Sequence, residues 1–153
     1  MIARQRARKR SAGRNVFPVV GPHSYGGRQS RFGAPRSGHR HQGQDVFAPC
    51  RARLRAAQAG RVKAKGFQAS GAGHYLVIRG VDRIDYVYMH LRKASWAKRG
   101  WGIDSGMQIG KVGQSGNASG CHLHFELWSR PGWYSGGKPY DPLPSLRRWD
   151  SYS

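Results

Sequence analysis

Acidic residues are scarce in this chain. Seven aspartates and glutamates stand against 27 lysines and arginines in 153 residues, a formal net charge of +20, and residues 1–40 hold ten of the basic residues and no acid. A surface of that sign attracts polyanions in general, so charge alone leaves wall polymers, anionic lipid and nucleic acid open as partners. Long apolar runs are missing as well. The longest early one, Val16-Phe17-Pro18-Val19-Val20, contains a proline and is too short for the apolar region of an export signal or for a membrane span. There is no internal repeat, no heptad, no HExxH and no recognised nucleic-acid-binding motif. These absences exclude a coiled coil, a membrane-spanning helix within these residues, and the helix-borne zinc site in which a glutamate beside a histidine is the general base.

Glycine is abundant, with 22 residues set among short apolar alternations and turn signals, which is the composition of an all-β protein. A chain of 153 residues makes one domain around one core. Alternation places strands near 46–48, 54–64, 75–79, 84–90, 108–112 and 122–128. Gly80-Val81-Asp82-Arg83 reads as a hairpin loop, 93–100 as a short helical or irregular link, and 113–120 as a flexible loop. Residues 1–15, basic and without apolar periodicity, read as a disordered tail. The domain is expected over 16–149, with 150–153 as a C-terminal tail.

Histidines carry the chemistry. In His122-Leu123-His124-Phe125-Glu126, strand alternation sends His122, His124 and Glu126 to one face, the two imidazoles roughly 6–7 Å apart, and Leu123, Phe125 and Leu127 to the other. The apolar face anchors the strand in the core and so holds the polar face rigid. Well upstream, His41-Gln42-Gly43-Gln44-Asp45 offers a second half-site. Residues four apart on an extended strand are separated by roughly 13 Å, too far to share an ion at roughly 2 Å per bond, so the segment must bend. Gly43, tolerant of positive φ and of bulges, is the residue that permits the bend. Two imidazole nitrogens and one carboxylate oxygen leave a fourth tetrahedral position for water, the pattern of a catalytic zinc. The HxH taken alone fits a half-buried strand with surface histidines equally well.

Between 84 and 91, alternation puts Ile84, Tyr86, Tyr88 and His90 on one face and Val87, Met89 and Leu91 on the other. His90 then reads either as structural or as a partner to the site. His39 sits in turn-like Ser37-Gly38-His39-Arg40, and His23 and His74 follow glycine-rich stretches; all three read as surface or groove residues. Glu126 shares the face of His124 and reads either as a carboxylate supporting the metal ligands or as a structural one.

The segments HQGQD (41–45), YVYMHL (86–91), IGKVGQSGNASGCHLHFELW (109–128) and KPYDPLP (138–144) resemble, in order, the motifs of the lysostaphin-type, LytM-like zinc metallopeptidases, which cleave peptide bonds in peptidoglycan. The resemblance covers residues 16–149. It implies an antiparallel sheet of the barrel-sandwich hybrid type with a zinc-centred groove. It also implies His41, Asp45 and His124 as ligands of Zn2+, His90 and His122 as the catalytic pair, and a peptidoglycan peptide as substrate. The place of action it implies is extracytoplasmic, secreted or wall-associated, although no signal peptide is visible in the chain. On this reading the cationic surface meets anionic wall polymers rather than nucleic acid. The alternatives are a non-catalytic zinc-binding wall or partner-recognition module of the same fold and, more distantly, a basic nucleic-acid-binding protein. The chain departs from the family pattern after Ala48-Pro49, where Cys50-Arg51-Ala52-Arg53-Leu54 replaces a Gly-Thr-Pro-Val-like stretch. Alternation from His122 puts Cys121 on the core face, away from the metal. A disulfide between Cys50 and Cys121, closing about 70 residues, and a pair of reduced buried thiols are both open.

Overall fold

The computed structural model describes residues 13–153. Eleven short strands follow in order: β1 (Pro35–Arg36), β2 (His39–Arg40), β3 (Gln44–Phe47), β4 (Arg53–Arg55), β5 (Gly60–Gln68), β6 (Gly73–Gly80), β7 (Asp85–Leu91), β8 (Gly102–Ile103), β9 (Gln108–Lys111), β10 (His122–Trp128) and β11 (Pro139–Tyr140). A 3-10 turn at Arg28–Ser30 precedes them and one helix, α1 (Leu143–Asp150), closes the chain. Seven of the strands form one antiparallel sheet in the order β11-β10-β7-β6-β5-β8, with β3 added to β10; β1 with β2 and β4 with β9 make two small ribbons. The fold is all-β apart from α1, as the sequence leads one to expect.

The alternation in β10 is strict. Leu123, Phe125 and Leu127 enter the main core with Leu54, Leu76, Ile78, Tyr88, Ile109 and Leu146, and the whole strand from His122 to Trp128 is buried. The expected strand over 54–64 is instead two strands with different partners. Between them, Ala56 N donates to Met107 O, Ala57 N to the Tyr88 hydroxyl and Ala59 N to Gln58 Oε1, each at 2.8–2.9 Å. The chain thus leaves β9 and crosses to β6 with its amides satisfied, and alanine is small enough to be fully buried at the crossing.

The loop between β6 and β7 is the expected hairpin. Gly80 N and Ile84 O close it at 2.8 Å, and Asp82 accepts from Ile84 N at 3.1 Å and from the Tyr86 hydroxyl at 2.6 Å. The segment 93–100 is irregular. Helix α1 was not expected: it buries Leu143, Leu146 and Trp149 against the core, and Asp141 Oδ1 accepts its first free amide from Leu143 at 3.0 Å. Cys50 and Cys121 are joined in a disulfide, so the bonded alternative holds, with Cys121 packed against the core as alternation required.

Residues 1–12 of the expected disordered tail lie outside the described residues. Gly13 O accepts from Gln58 Nε2 at 2.8 Å and Asn15 Nδ2 donates to the Tyr86 hydroxyl at 2.9 Å. Tyr152 donates to Asn15 O at 2.8 Å and Phe17 N to Ser153 Oγ at 2.9 Å, so 150–153 pack beside the start of the domain. No helix among the described residues is long and apolar enough to cross a membrane.

Candidate metal centre and its groove

Register decides which polar residues meet. Strand β10 lies between β3 and β7, and His124 stands opposite Asp45 on one side and Met89 on the other. His41 lies just before β3, where Gly33 N donates to His41 O and His41 N to Ala34 O, both at 2.8 Å. Gly43 makes the intervening bend, but its backbone is not in the left-handed region. Its requirement is space: a Cβ there would overlap the Phe125 carbonyl oxygen and stand 3.0 Å from His124 Nε2. The expectation that Gly43 serves through positive φ is corrected to one of close approach.

His41, Asp45 and His124 are brought together. His41 Nε2 lies 3.0 Å from His124 Nδ1 and 3.2 Å from Asp45 Oδ1, and His124 Nδ1 lies 3.0 Å from Asp45 Oδ1. The outer ring nitrogens set the tautomers. His41 Nδ1 faces the Arg31 carbonyl at 2.9 Å and His124 Nε2 faces Glu126 Oε2 at 2.8 Å. A carbonyl or carboxylate oxygen only accepts, so each outer nitrogen carries the hydrogen and each neutral ring turns a lone pair inward. Two lone pairs and a carboxylate oxygen in van der Waals contact repel one another unless a proton or a cation lies among them. This donor set fits a divalent metal of zinc's type, with three ligand atoms and an open side.

Without a cation the protons respond to that crowding. Burial would raise the Asp45 carboxyl, but the hydrogen bonds from His124 and His41 outweigh it and hold the group well below the usual carboxylate range. Burial would lower His124, but hydrogen bonds to Asp45 and Glu126 override it and push it up to about 9.

His90 and His122 lie beside this centre, their rings 4.8 Å apart, with His90 also 6.1 Å from His124. Each is oriented in the same manner. His90 Nδ1 faces Ser115 O at 2.8 Å and His122 Nδ1 faces Gly120 O at 3.0 Å, which leaves both Nε2 atoms as acceptors. His122 Nε2 is 3.7 Å from Asp45 Oδ1. Burial, only partly countered by the Ser115 carbonyl, pushes His90 down to about 4 and keeps it neutral.

The alternation expected for β7 fails at this residue. Tyr86, Tyr88 and Leu91 share the main core, while Met89 joins Val87 on the other side and lines the groove together with His90. His90 has φ 65, a left-handed conformation rare outside glycine. Its amide donates to Ala72 O at 2.8 Å and its carbonyl accepts from Gly113 at 3.1 Å. Those two bonds hold the twist that turns the imidazole out of the core.

The five residues line a groove of about 500 Å³, whose wall also includes Arg36, Gln42, Asn117, Ser119 and Tyr134. Tyr134 was not singled out from the sequence because its position depends on a distant anchor. Trp133 N donates to fully buried Asp85 at 2.9 Å, and Arg79, paired with Asp85 at 2.6 Å, also holds Pro131 O at 2.9 Å. Glu126 is buried, with its second oxygen accepting from Trp128 Nε1 at 2.7 Å. His39 lies on the groove rim, outside the three-donor cluster. His74 packs its ring on Phe67, and His23 pairs with Asp150 at 2.8 Å.

Fold and site together define an antiparallel β domain with three converging donors, able to hold a cation, lining a groove. Residues 39–142 match peptidase family M23, and the chain belongs to that family. It is 30% identical to an L-Ala–D-Glu endopeptidase of Bacillus subtilis, over 92% of this chain and 45% of that protein. The catalytic domain of the antimicrobial peptidase lysostaphin from Staphylococcus simulans superposes with a TM-score of 0.69 at 26% identity, over 82% of this chain and 92% of that one. A zinc-containing peptidase from Vibrio cholerae gives 0.68 at 28% identity, over 86% of this chain and 40% of that one. The chain spans less than half the length of the first curated relatives it matches, from 18% to 45%.

Proposed function

We propose that this chain is a zinc metalloendopeptidase that hydrolyses peptide bonds of bacterial peptidoglycan, acting outside the cytoplasm, with its cationic surface on anionic wall polymers. The observation that carries the reading is the inward turning of the His41 and His124 lone pairs onto Asp45, each ring locked by an acceptor behind it. The names of the B. subtilis and V. cholerae relatives support the substrate and the metal. His41 Nε2, Asp45 Oδ1 and His124 Nδ1 are the ligands in this reading. Bound zinc supplies a lowered pKa for water and polarisation of the scissile carbonyl.

The protein's own residues do the rest. The groove holds an extended peptide across the site, with Gln42, Asn117 and Ser119 as uncharged hydrogen-bonding groups along its wall. His90 and His122, their Nδ1 hydrogens committed to backbone carbonyls, present Nε2 to the reacting atoms. One of the two takes the attacking water's proton on Nε2, and the N–H so formed hydrogen-bonds to the carbonyl oxygen as it gains charge and then passes the proton to the leaving amine. The test is mass spectrometry of the peptides released from purified sacculi by the zinc-loaded protein. Release of cleaved muropeptides, abolished by chelator and restored by zinc, is expected. Stoichiometric zinc with intact sacculi would replace the enzyme by a binding module of the same fold.

A further inference from the structure

We infer that the groove selects a peptide carrying a free carboxylate, received by Arg36, over an uncharged peptide of the same length. The inference deepens the endopeptidase reading and rests on it for the identity of the groove. Among the described residues the groove wall has two acids, Asp45 and Glu126. Both are already engaged. Asp45 faces His41 and His124, and Glu126 holds His124 with one oxygen and Trp128 with the other. The wall therefore offers no unengaged anion to repel an acidic substrate.

Among the described residues Arg36 is the one lysine or arginine in that wall. Its guanidinium donates from one terminal nitrogen to Pro35 O at 3.2 Å and from the other to Gln29 O at 2.7 Å. Both partners are neutral carbonyls, which fix the side chain and leave its charge uncompensated. A guanidinium has five N–H donors, so a planar edge remains for a carboxylate. The side chain is half-buried, which weakens solvent screening of a charge brought against it.

Its distance from the metal ligands is set by backbone. Strands β1 and β2 pair Arg36 with His39 across a two-residue turn at Ser37-Gly38, where Gly38 has φ 78. The base of that hairpin is tied to the ligand His41 by the two amide bonds with Gly33 and Ala34. The cation is thus held in register with the site rather than carried on a free loop. Asn117, Ser119 and Gln42 elsewhere on the wall bind amides without regard to charge, so Arg36, the permanently charged cation of that wall among the described residues, is the group that distinguishes an acid from its amide.

The experiment compares two synthetic tetrapeptides, acetylated at the N-terminus and amidated at the C-terminus, identical except that one glutamate is glutamine. With zinc-loaded full chain, the acid peptide is expected to show kcat/KM higher by roughly tenfold, carried mainly by KM, the scale of one charge-assisted hydrogen-bonded pair. Arg36→Gln is expected to bring the acid peptide down to the value of the amide peptide, and Arg36→Lys, which keeps the charge but loses the planar fork, to retain part of the difference. Equal turnover of both peptides by the unaltered protein, or a preference that survives Arg36→Gln, overturns the inference. Calorimetric binding of the same peptides to the zinc-loaded His90→Ala protein reads selectivity without turnover. A preference that Arg36→Gln removes there supports the inference even if no peptide is ever cleaved, and equal affinities overturn it.

Discussion

Three ångströms separate His41 Nε2 from His124 Nδ1, and no hydrogen of a neutral ring lies between them. That contact is unfavourable unless a proton or a cation occupies it, and in the proposed three-ligand site each donor matters and none is spare. Replacing His124 or Asp45 by alanine is expected to reduce bound zinc from about one equivalent to a small fraction, read by elemental analysis after dialysis. His90→Ala leaves all three donors in place. It is expected to keep its zinc and lose on the order of 10²-fold or more in turnover, the usual contribution of a positioned acid or base; full activity with normal metal content would reduce His90 to a structural role. Gly43 is sensitive for a different reason. A methyl group there presses on the Phe125 carbonyl and on the ring of a ligand, so Gly43→Ala is expected to lower both melting temperature and zinc affinity although alanine tolerates the backbone conformation. Unchanged zinc affinity in that variant would show that the strands can separate without cost.

At the scale of elements, the ligand-bearing strands are held together twice. Four residue pairs join β3 to β10, and the disulfide ties Cys50 to Cys121 at the same end, closing a loop of 71 residues. Loop entropy gives such a crosslink about 4 kcal/mol, or a fall in melting temperature on the order of 10 °C when it is reduced. Differential scanning calorimetry with and without reductant checks this, and an unchanged transition would show that the bond contributes nothing. Strand β7 sets a second, pH-dependent limit. Burial, with a smaller opposing contribution from the Ala57 amide, raises Tyr88 well above the ordinary tyrosine value, and burial followed by the charge and hydrogen bond of Asp82 raises Tyr86 further. The folded protein therefore holds these protons where an unfolded chain, with tyrosines titrating near about 10, releases them. Their contribution is complete below that pH and is lost as pH rises above it, because the unfolded state then binds fewer protons. Stability in urea is expected to fall steeply beyond about pH 10, and Tyr88→Phe should flatten the fall; an equally steep curve in that variant would assign it to other groups.

For the molecule as a whole, charge and catalysis are separable. The excess of +20 is spread along the chain, whereas the site is a compact cluster whose ligand atoms lie within 4.8 Å of one another. Attachment to isolated cell walls is therefore expected to weaken strongly between low and high salt, while hydrolysis of a short soluble peptide changes little, because screening acts over a Debye length and not over a bond. Deleting residues 1–12 removes Arg4, Arg6, Arg8, Lys9 and Arg10 and should reproduce part of the salt effect on attachment. Loss of soluble-peptide turnover in that deletion would place the segment in the folded site.

Local periodicity made β10 legible to the residue. Six consecutive positions, 122–127, alternate between groove and core, and the sheet rewards every one of them, so sequence alone determined the HxH face, the core face and the all-β class. It also supplied the donor types, two imidazoles and a carboxylate at His41, Asp45 and His124, that the fold brings together. Where two contacts compete for one residue, only the tertiary structure decided. His90 obeys the bond it donates to Ala72 O and the one it accepts from Gly113 N rather than the alternation of Tyr86 and Tyr88. The alanines at 56–59 obey their crossing between sheets rather than the strand on either side of them. Helix α1 has three buried apolar positions in eight residues, too few for a period to show. Arg36 and Tyr134 reach the groove through a hairpin and a buried carboxylate that no local pattern marks. The three-donor cluster needs His41 to meet His124 across 83 residues, and that meeting is a property of strand register, which forms only when the sheet does.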